Sequence, residues 1–296
     1  MKQNWTLILG SSFFTILVLI TLVGPYLPFI DNVLESKRII FTDSGVLTAP
    51  YEPSSDFLLG SDKEGRDLLS IIVVGARETL GLILAVAVLR YVIAILLAVL
   101  SVNKKGPFHW ILQGWNQIFS ALPVIFSAII LLSLPIIFFH EHRFFWAIAI
   151  LAAIEVGRVG TILQSHFHMI KKTPYVEAGI TVGVSPLTLF TTYYLPNAMP
   201  DLVVQFFLDM GRIALLIGQL GIFSIFITQQ FVQLSYGSGI IENTSLNWAT
   251  MLGQARGDLL RAFWIPFFPA LALAFTVLTF NVLGEGLRKH FHRLEA

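Results

Sequence analysis

Five charged residues fall inside long apolar runs: Arg90, Glu155, Arg158, Asp209 and Arg212. A charge in hydrocarbon is costly, so such residues gather where they pair with one another or meet a wet pathway. Asp209 and Arg212 are three apart, as are Glu155 and Arg158, so each pair shares a helical face and can form an internal ion pair. Arg90 has no acid within a turn of its own segment. It either faces a helix bundle and finds a carboxylate such as Asp209, or lines a wet pathway. In a pathway, Arg90 and Arg212 would favour anionic or carboxylate-bearing solutes.

Other chemistry finds little footing. There is no cysteine, hence no disulfide framework, thiol nucleophile or Cys-ligated metal. Three His-x-His pairs occur, His140 with His142, His166 with His168 and His290 with His292. A spacing of two puts the rings on different helix faces, and no acid cluster completes a site, so no metal is expected. No G-x-S-x-G elbow appears, and no catalytic residue is assigned. Gly60 and Gly65 match the glycine spacing of a phosphate-binding loop. Arg66 and Asp67 stand where that loop needs Lys and then Ser or Thr, so the chain is expected to bind no nucleotide of its own.

The elements that must hold these residues are membrane helices. Of 296 residues, 55% are hydrophobic and only 12% charged, and mean hydropathy is +0.77. That excludes an ordinary soluble domain, and a net charge of +1 shows no nucleic-acid footprint. Apolar windows long enough to cross a bilayer fall near 7–29, 80–102, 117–138, 144–163, 202–224 and 264–284. Six spans put both termini on one side. Lys2, Lys104-Lys105, Lys171-Lys172, Arg288, Lys289 and Arg293 then share one face, which the positive-inside rule makes cytoplasmic. The opposite loops carry Asp31, Glu35, Asp43, Glu52, Asp56, Glu242 and Asp258.

Residues 173–200 read as a helical hairpin on the cytoplasmic side. Thr173 is an N-cap candidate with Pro174 behind it, Gly183 makes the turn, Ser185-Pro186 restarts a helix and Pro196 stops it. Glu177-Ala178-Gly179, Gly183 and Leu195-Pro196 resemble the EAA loop of ABC-importer permeases. Two positions depart from the usual pattern: Gly179 replaces the second Ala, and Tyr193 stands where an Ile is common. Before the second window, Gly60-Ser61-Asp62, Gly65-Arg66-Asp67, Ser70, Gly75 and Arg77 resemble the signature of one permease subfamily. It comprises the second permease subunit of dipeptide, oligopeptide and nickel importers. Asn247-Trp248, Asp258 and the run 280–288 extend the same likeness to the C-terminal end. Trp248 suits an interfacial belt.

The resemblance implies an all-α polytopic membrane protein of six transmembrane helices, like an ABC importer type I permease. Residues 1–79 would supply the first helix and an external loop, and 80–296 the permease core with the coupling loop 173–200. Partners implied are a second, similar permease, two cytoplasmic ATPases that bind ATP and Mg, an external substrate-binding protein and the lipid bilayer. The cargo would be a peptide, with nickel or another small solute as the alternative. A stand-alone secondary transporter is the rival class, but it leaves the hairpin without a purpose. One departure is large: residues 222–245 exceed the usual short link, and either lengthen the fifth helix outward or form a scoop on the membrane surface.

Overall fold

The computed structural model describes residues 4–42, 45–235, 238–253 and 255–295; Lys2, Asp43 and the side chain of Glu242 fall outside that description. Helix α1 (Trp5–Leu22) is followed by a single 3-10 turn and a β-hairpin, β1 (Ile39–Thr42) with β2 (Gly45–Thr48). Helix α2 (Leu68–Leu100) then runs 33 residues. It starts twelve residues before the expected window and carries the anticipated division at 79/80 in its interior. Its start is set by chemistry that hydropathy does not see: the Asp67 carboxylate accepts the backbone N–H of Ser70 at 2.8 Å, an N-cap.

The third and fourth windows are not single helices. Helix α3 (Pro107–Ser120) meets α4 (Val124–Leu132) at 94°, with Pro123 at the corner. Proline cannot donate into the preceding turn, and its ring disfavours helix in the residue before it. Short α5 (Pro135–Phe138) leads to α6 (Arg143–Ile154), which meets α7 (Val156–Lys171) at 45° across Glu155. Helices α8 (Pro174–Thr181) and α9 (Pro186–Thr188) form the hairpin, and α9 passes through a π-helical turn, Leu189–Tyr194, into α10 (Leu195–Ile222). Pro196 therefore stops nothing. It sits in the first turn of α10, where a missing N–H is tolerated, and the wide π turn absorbs the ring.

Residues 223–245 do not lengthen α10, which ends at Ile222. They fold into an antiparallel hairpin, β3 (Gln229–Ser235) with β4 (Ser238–Asn243). The chain ends with a 3-10 turn at Thr250–Leu252, α11 (Ala255–Asp258) and α12 (Trp264–Glu295). The fold is thus mostly helical, with two β-hairpins outside the helical body. Helices α1, α2 and α12 are long and apolar enough to cross a membrane, and each bent pair, α3–α4 and α6–α7, qualifies as one broken span.

Packing explains much of the glycine pattern. A Cβ on Gly10 would lie 2.6 Å from the backbone of Leu283, and one on Gly286 equally close to the backbone of Leu7. The two glycines let α1 and α12 touch backbone to backbone, the small-residue contact that holds helices together in lipid. Gly75 on α2 and Gly221 on α10 do the same for the segment before α12: added Cβ atoms would meet the carbonyls of Leu246 and Ala249 at 2.2 and 2.0 Å. Trp248 in that segment is no interfacial belt residue. It is 2% exposed and donates its indole N–H to the Ile72 carbonyl at 2.8 Å, so the ring plugs the end of the bundle.

Candidate functional site

The intramembrane charges converge where α2, α10 and the α6–α7 break meet. Arg90 is 0% exposed. Its Nη1 contacts Asp209 Oδ2 at 2.7 Å and Glu155 Oε2 at 2.8 Å. Arg158 closes the ring, with Nε 2.8 Å from Glu155 Oε1 and Nη2 on Asp209 Oδ1. Two guanidiniums thus share two carboxylates, and the cluster is neutral. The break in the span belongs to the same design. In a continuous helix the Leu151 carbonyl would accept the N–H of Glu155, but that N–H turns to Ala153 instead. Arg90 Nη2 donates to the freed Leu151 carbonyl at 2.7 Å. The guanidinium therefore caps a broken helix as well as neutralising two acids.

Of the two readings open to Arg90, a carboxylate partner or a wet pathway, the structure makes the first, with Asp209 and with Glu155. Glu155 pairs with Arg158 as the spacing predicts. Asp209 and Arg212 do not pair: Asp209 is buried, whereas Arg212 is exposed and makes no ion pair among the described residues. Sequence spacing missed that Glu155 and Asp209 each bridge both arginines, because the partners lie up to 119 positions apart. It also passed over Arg143, whose guanidinium donates to the carbonyls of Phe226 and Leu132 and ties the C-terminal end of α4 to the segment after α10.

The hairpin is anchored from within. Val176 is fully buried against a cluster that includes Tyr91, Ala94, Phe167, Tyr194 and Ala198. Its neighbours Glu177 and Ala178 are exposed, as are Gly183, Leu187 and Pro196, and Val182 is 85% exposed. Gly183 has φ +85°, the left-handed region that closes α8 with Gly183 N–H on the Ile180 carbonyl and Val184 N–H on the Gly179 carbonyl. Thr173 occupies the N-cap position without capping, since its hydroxyl donates backward to Ile170, whereas the Ser185 hydroxyl does accept from Thr188 N–H. Gly179 and Leu195 face inward or half inward.

The signature before α2 is a tied loop. Asp62 accepts the N–H groups of Glu64 and Arg66, both at 2.9 Å, and holds the Arg66 guanidinium at 2.6–2.8 Å. Gly60 and Gly65 adopt φ +80° and +77°, and a Cβ on either would collide with Trp264 or with the Lys37 carbonyl. Lys63 reaches Asp258 at 2.6 Å, joining this loop to α11. Arg77 lies apart from these bonds, exposed on α2. A cavity of roughly 920 Å³ opens between the two segments, lined by polar residues such as Asp62, Arg66 and Asp258 and by apolar ones such as Ile71, Phe226 and Ile265. The described residues contain no group of three His, Asp or Glu side chains able to hold a metal.

Comparison with known proteins agrees with this architecture. The family described as "Binding-protein-dependent transport system inner membrane component" matches residues 90–294. A di/tripeptide transport system permease protein of Pseudomonas aeruginosa is 28% identical over 282 residues, covering 94% of this chain and 85% of its own. A dipeptide transport system permease protein of Haemophilus influenzae is 26% identical over 288 residues, covering 97% and 90%. A glutathione transport system permease protein of Pectobacterium atrosepticum is 26% identical over 236 residues, covering 80% and 72%.

Proposed function

Since the chain belongs to the family of binding-protein-dependent transport system inner membrane components, we propose that it is one of two permease subunits of an ATP-driven peptide importer. Relatives named for dipeptides, di/tripeptides and glutathione support a short peptide as cargo. The partners in this reading are a second, similar permease, two cytoplasmic ATPases and an external substrate-binding protein. The chain is a transport subunit rather than an enzyme, and ATP and Mg belong to the ATPases.

Six crossings complete the reading: α1, α2, the bent pairs α3–α4 and α6–α7, α10 and α12. Helix α10 has 28 residues, about 42 Å at helical rise, which is ample for a bilayer core. Both termini then lie in the cytoplasm with Lys104, Lys105, Lys171 and Lys172.

The observation that carries the coupling role is the hairpin: anchored inside by Val176, exposed outside at Glu177, Ala178, Val182 and Leu187, and helical without interruption from Pro186 to Ile222. A push on α8 and α9 by a closing ATPase pair would travel along α10 to Asp209, and from there to the break at Glu155. Hinged rigid pieces of this kind suit alternating access.

The test is reconstitution of the four kinds of subunit in proteoliposomes. ATP-dependent uptake of a labelled dipeptide delivered by the binding protein is expected. Uptake of Ni²⁺ instead, under the same conditions, would replace the peptide by the small-solute alternative, and transport by this chain alone would end the subunit reading.

A further inference from the structure

Helix α10 buries most of its circumference, and along the strip it leaves outward Gln205, Arg212 and Gln219 alternate with Leu208, Leu215 and Ile222. Gln205, Arg212 and Gln219 are spaced seven apart, so they stack on one face with a drift of only about 20° per step. Arg212 is exposed, Gln205 and Gln219 are half-buried, and Leu215 between them is 53% exposed. The rest of the circumference is buried over this stretch, from Asp209 to Ala214 save Arg212, and again from Leu216 to Gly218. None of the three polar side chains has a hydrogen-bond or ion-pair partner among the described residues.

Depth makes this arrangement costly unless it is wet. From Gln205 to Gln219 is about 21 Å along the axis, most of the roughly 30 Å hydrocarbon core. Arg212 lies ten residues before the end of α10, about 15 Å, too far for its side chain to reach the headgroups from a lipid-facing position. Two amides and a guanidinium without partners do not face lipid. The neighbouring cluster offers Arg212 nothing, because Arg90 and Arg158 already neutralise Asp209 and Glu155.

We infer that the Gln205–Arg212–Gln219 seam lines the solute route and that Arg212 is a specificity residue for the free carboxylate of the cargo. The inference rests on the permease reading, and it deepens that reading by assigning the surface and the charge preference. The amides both donate and accept, which matches a peptide backbone. Arg212 adds a cation in mid-route, where a guanidinium binds carboxylate through paired N–H groups. Water in the route weakens that attraction enough for release.

Two measurements decide it in the assembled complex. Arg212→Gln is expected to lower uptake of a free dipeptide about tenfold relative to its C-terminally amidated form, with Arg212→Lys retaining the preference. Equal losses for both peptides, or no change in either, overturn the specificity role. Separately, Leu215→Cys is expected to react with a membrane-impermeant thiol reagent, read on this chain, which has no native cysteine. Reaction only with a lipid-soluble reagent, or with none, means that lipid or a pairing acid of the second permease covers the seam, and overturns the inference. A wild-type complex that takes up no peptide fails the permease reading instead, and the Leu215→Cys result still decides whether the seam is wet. Should Arg212→Gln not assemble, Arg212→Lys and Leu215→Cys carry the decision.

Discussion

Tyr193 packs over the bare face of Gly179: a Cβ on the glycine would sit 3.4 Å from the phenolic oxygen and 3.5 Å from the ring carbon that bears it. These are the two positions at which the hairpin departs from the usual EAA pattern, and they are neighbours in space. A methyl group on Gly179 would make ordinary van der Waals contact with that ring, and Tyr175 stacks on the same ring at 6.2 Å between centroids.

A volume test follows from that contact. Gly179→Leu should displace Tyr193 and destabilise the purified protein by about 1–3 kcal/mol, the usual cost of overpacking. Adding Tyr193→Ala should recover part of the loss. Thermal unfolding of the two single variants and the double variant in detergent checks this, and strictly additive effects would show that the two residues do not communicate.

The docking role of the hairpin predicts what its exposed side does. Glu177→Lys reverses a charge on the outer face of α8, and Gly183→Pro cannot adopt φ +85°. Both proteins should insert into the membrane, and both should lose ATPase subunits on co-purification. Val176→Asp differs, because it places a carboxylate in a fully buried position and should lower the yield of folded protein itself.

The buried charge cluster should respond to imbalance rather than to loss of charge. Asp209→Asn leaves two guanidiniums with one carboxylate and should cost about 3–5 kcal/mol of stability. The double change Asp209→Leu with Arg90→Met removes one charge of each sign and should cost less than Asp209→Asn alone. It still frees the Leu151 carbonyl from its cap, so some loss is expected. Melting temperatures of the three proteins rank the cases.

Orientation is open to a labelling experiment. Ser55→Cys, in the loop before α2, should react with an impermeant reagent added outside intact cells. Lys105→Cys, exposed between α2 and α3, should react only after permeabilisation. The opposite pattern would turn the whole molecule over.

Much of this protein is legible from the chain alone, and the reason is the solvent. A bilayer demands long apolar segments and tolerates few charges, so composition and Lys/Arg placement suffice to expect helices in a membrane at windows that overlap the observed ones. Local rules held in part: Gly183 turns the hairpin and Glu155 meets Arg158, but Thr173 leaves its cap unmade and Asp209 turns away from Arg212.

Tertiary structure decided whatever depends on distant partners. Arg90 could meet a carboxylate or water by sequence; only the packing of α2 against α10 and the α6–α7 break delivers Asp209 and Glu155 to it. Asp209 is drawn inward to those arginines, which leaves Arg212 outside although spacing would pair the two. Trp248 reads as a belt residue by type, yet the notches at Gly75 and Gly221 admit its segment into the bundle end. Pro196 reads as a stop, yet the π turn before it carries the helix through. Hydropathy and spacing report what each residue prefers along its own helix. Which of several acceptable partners it obtains is set by helices that meet only when the chain is folded.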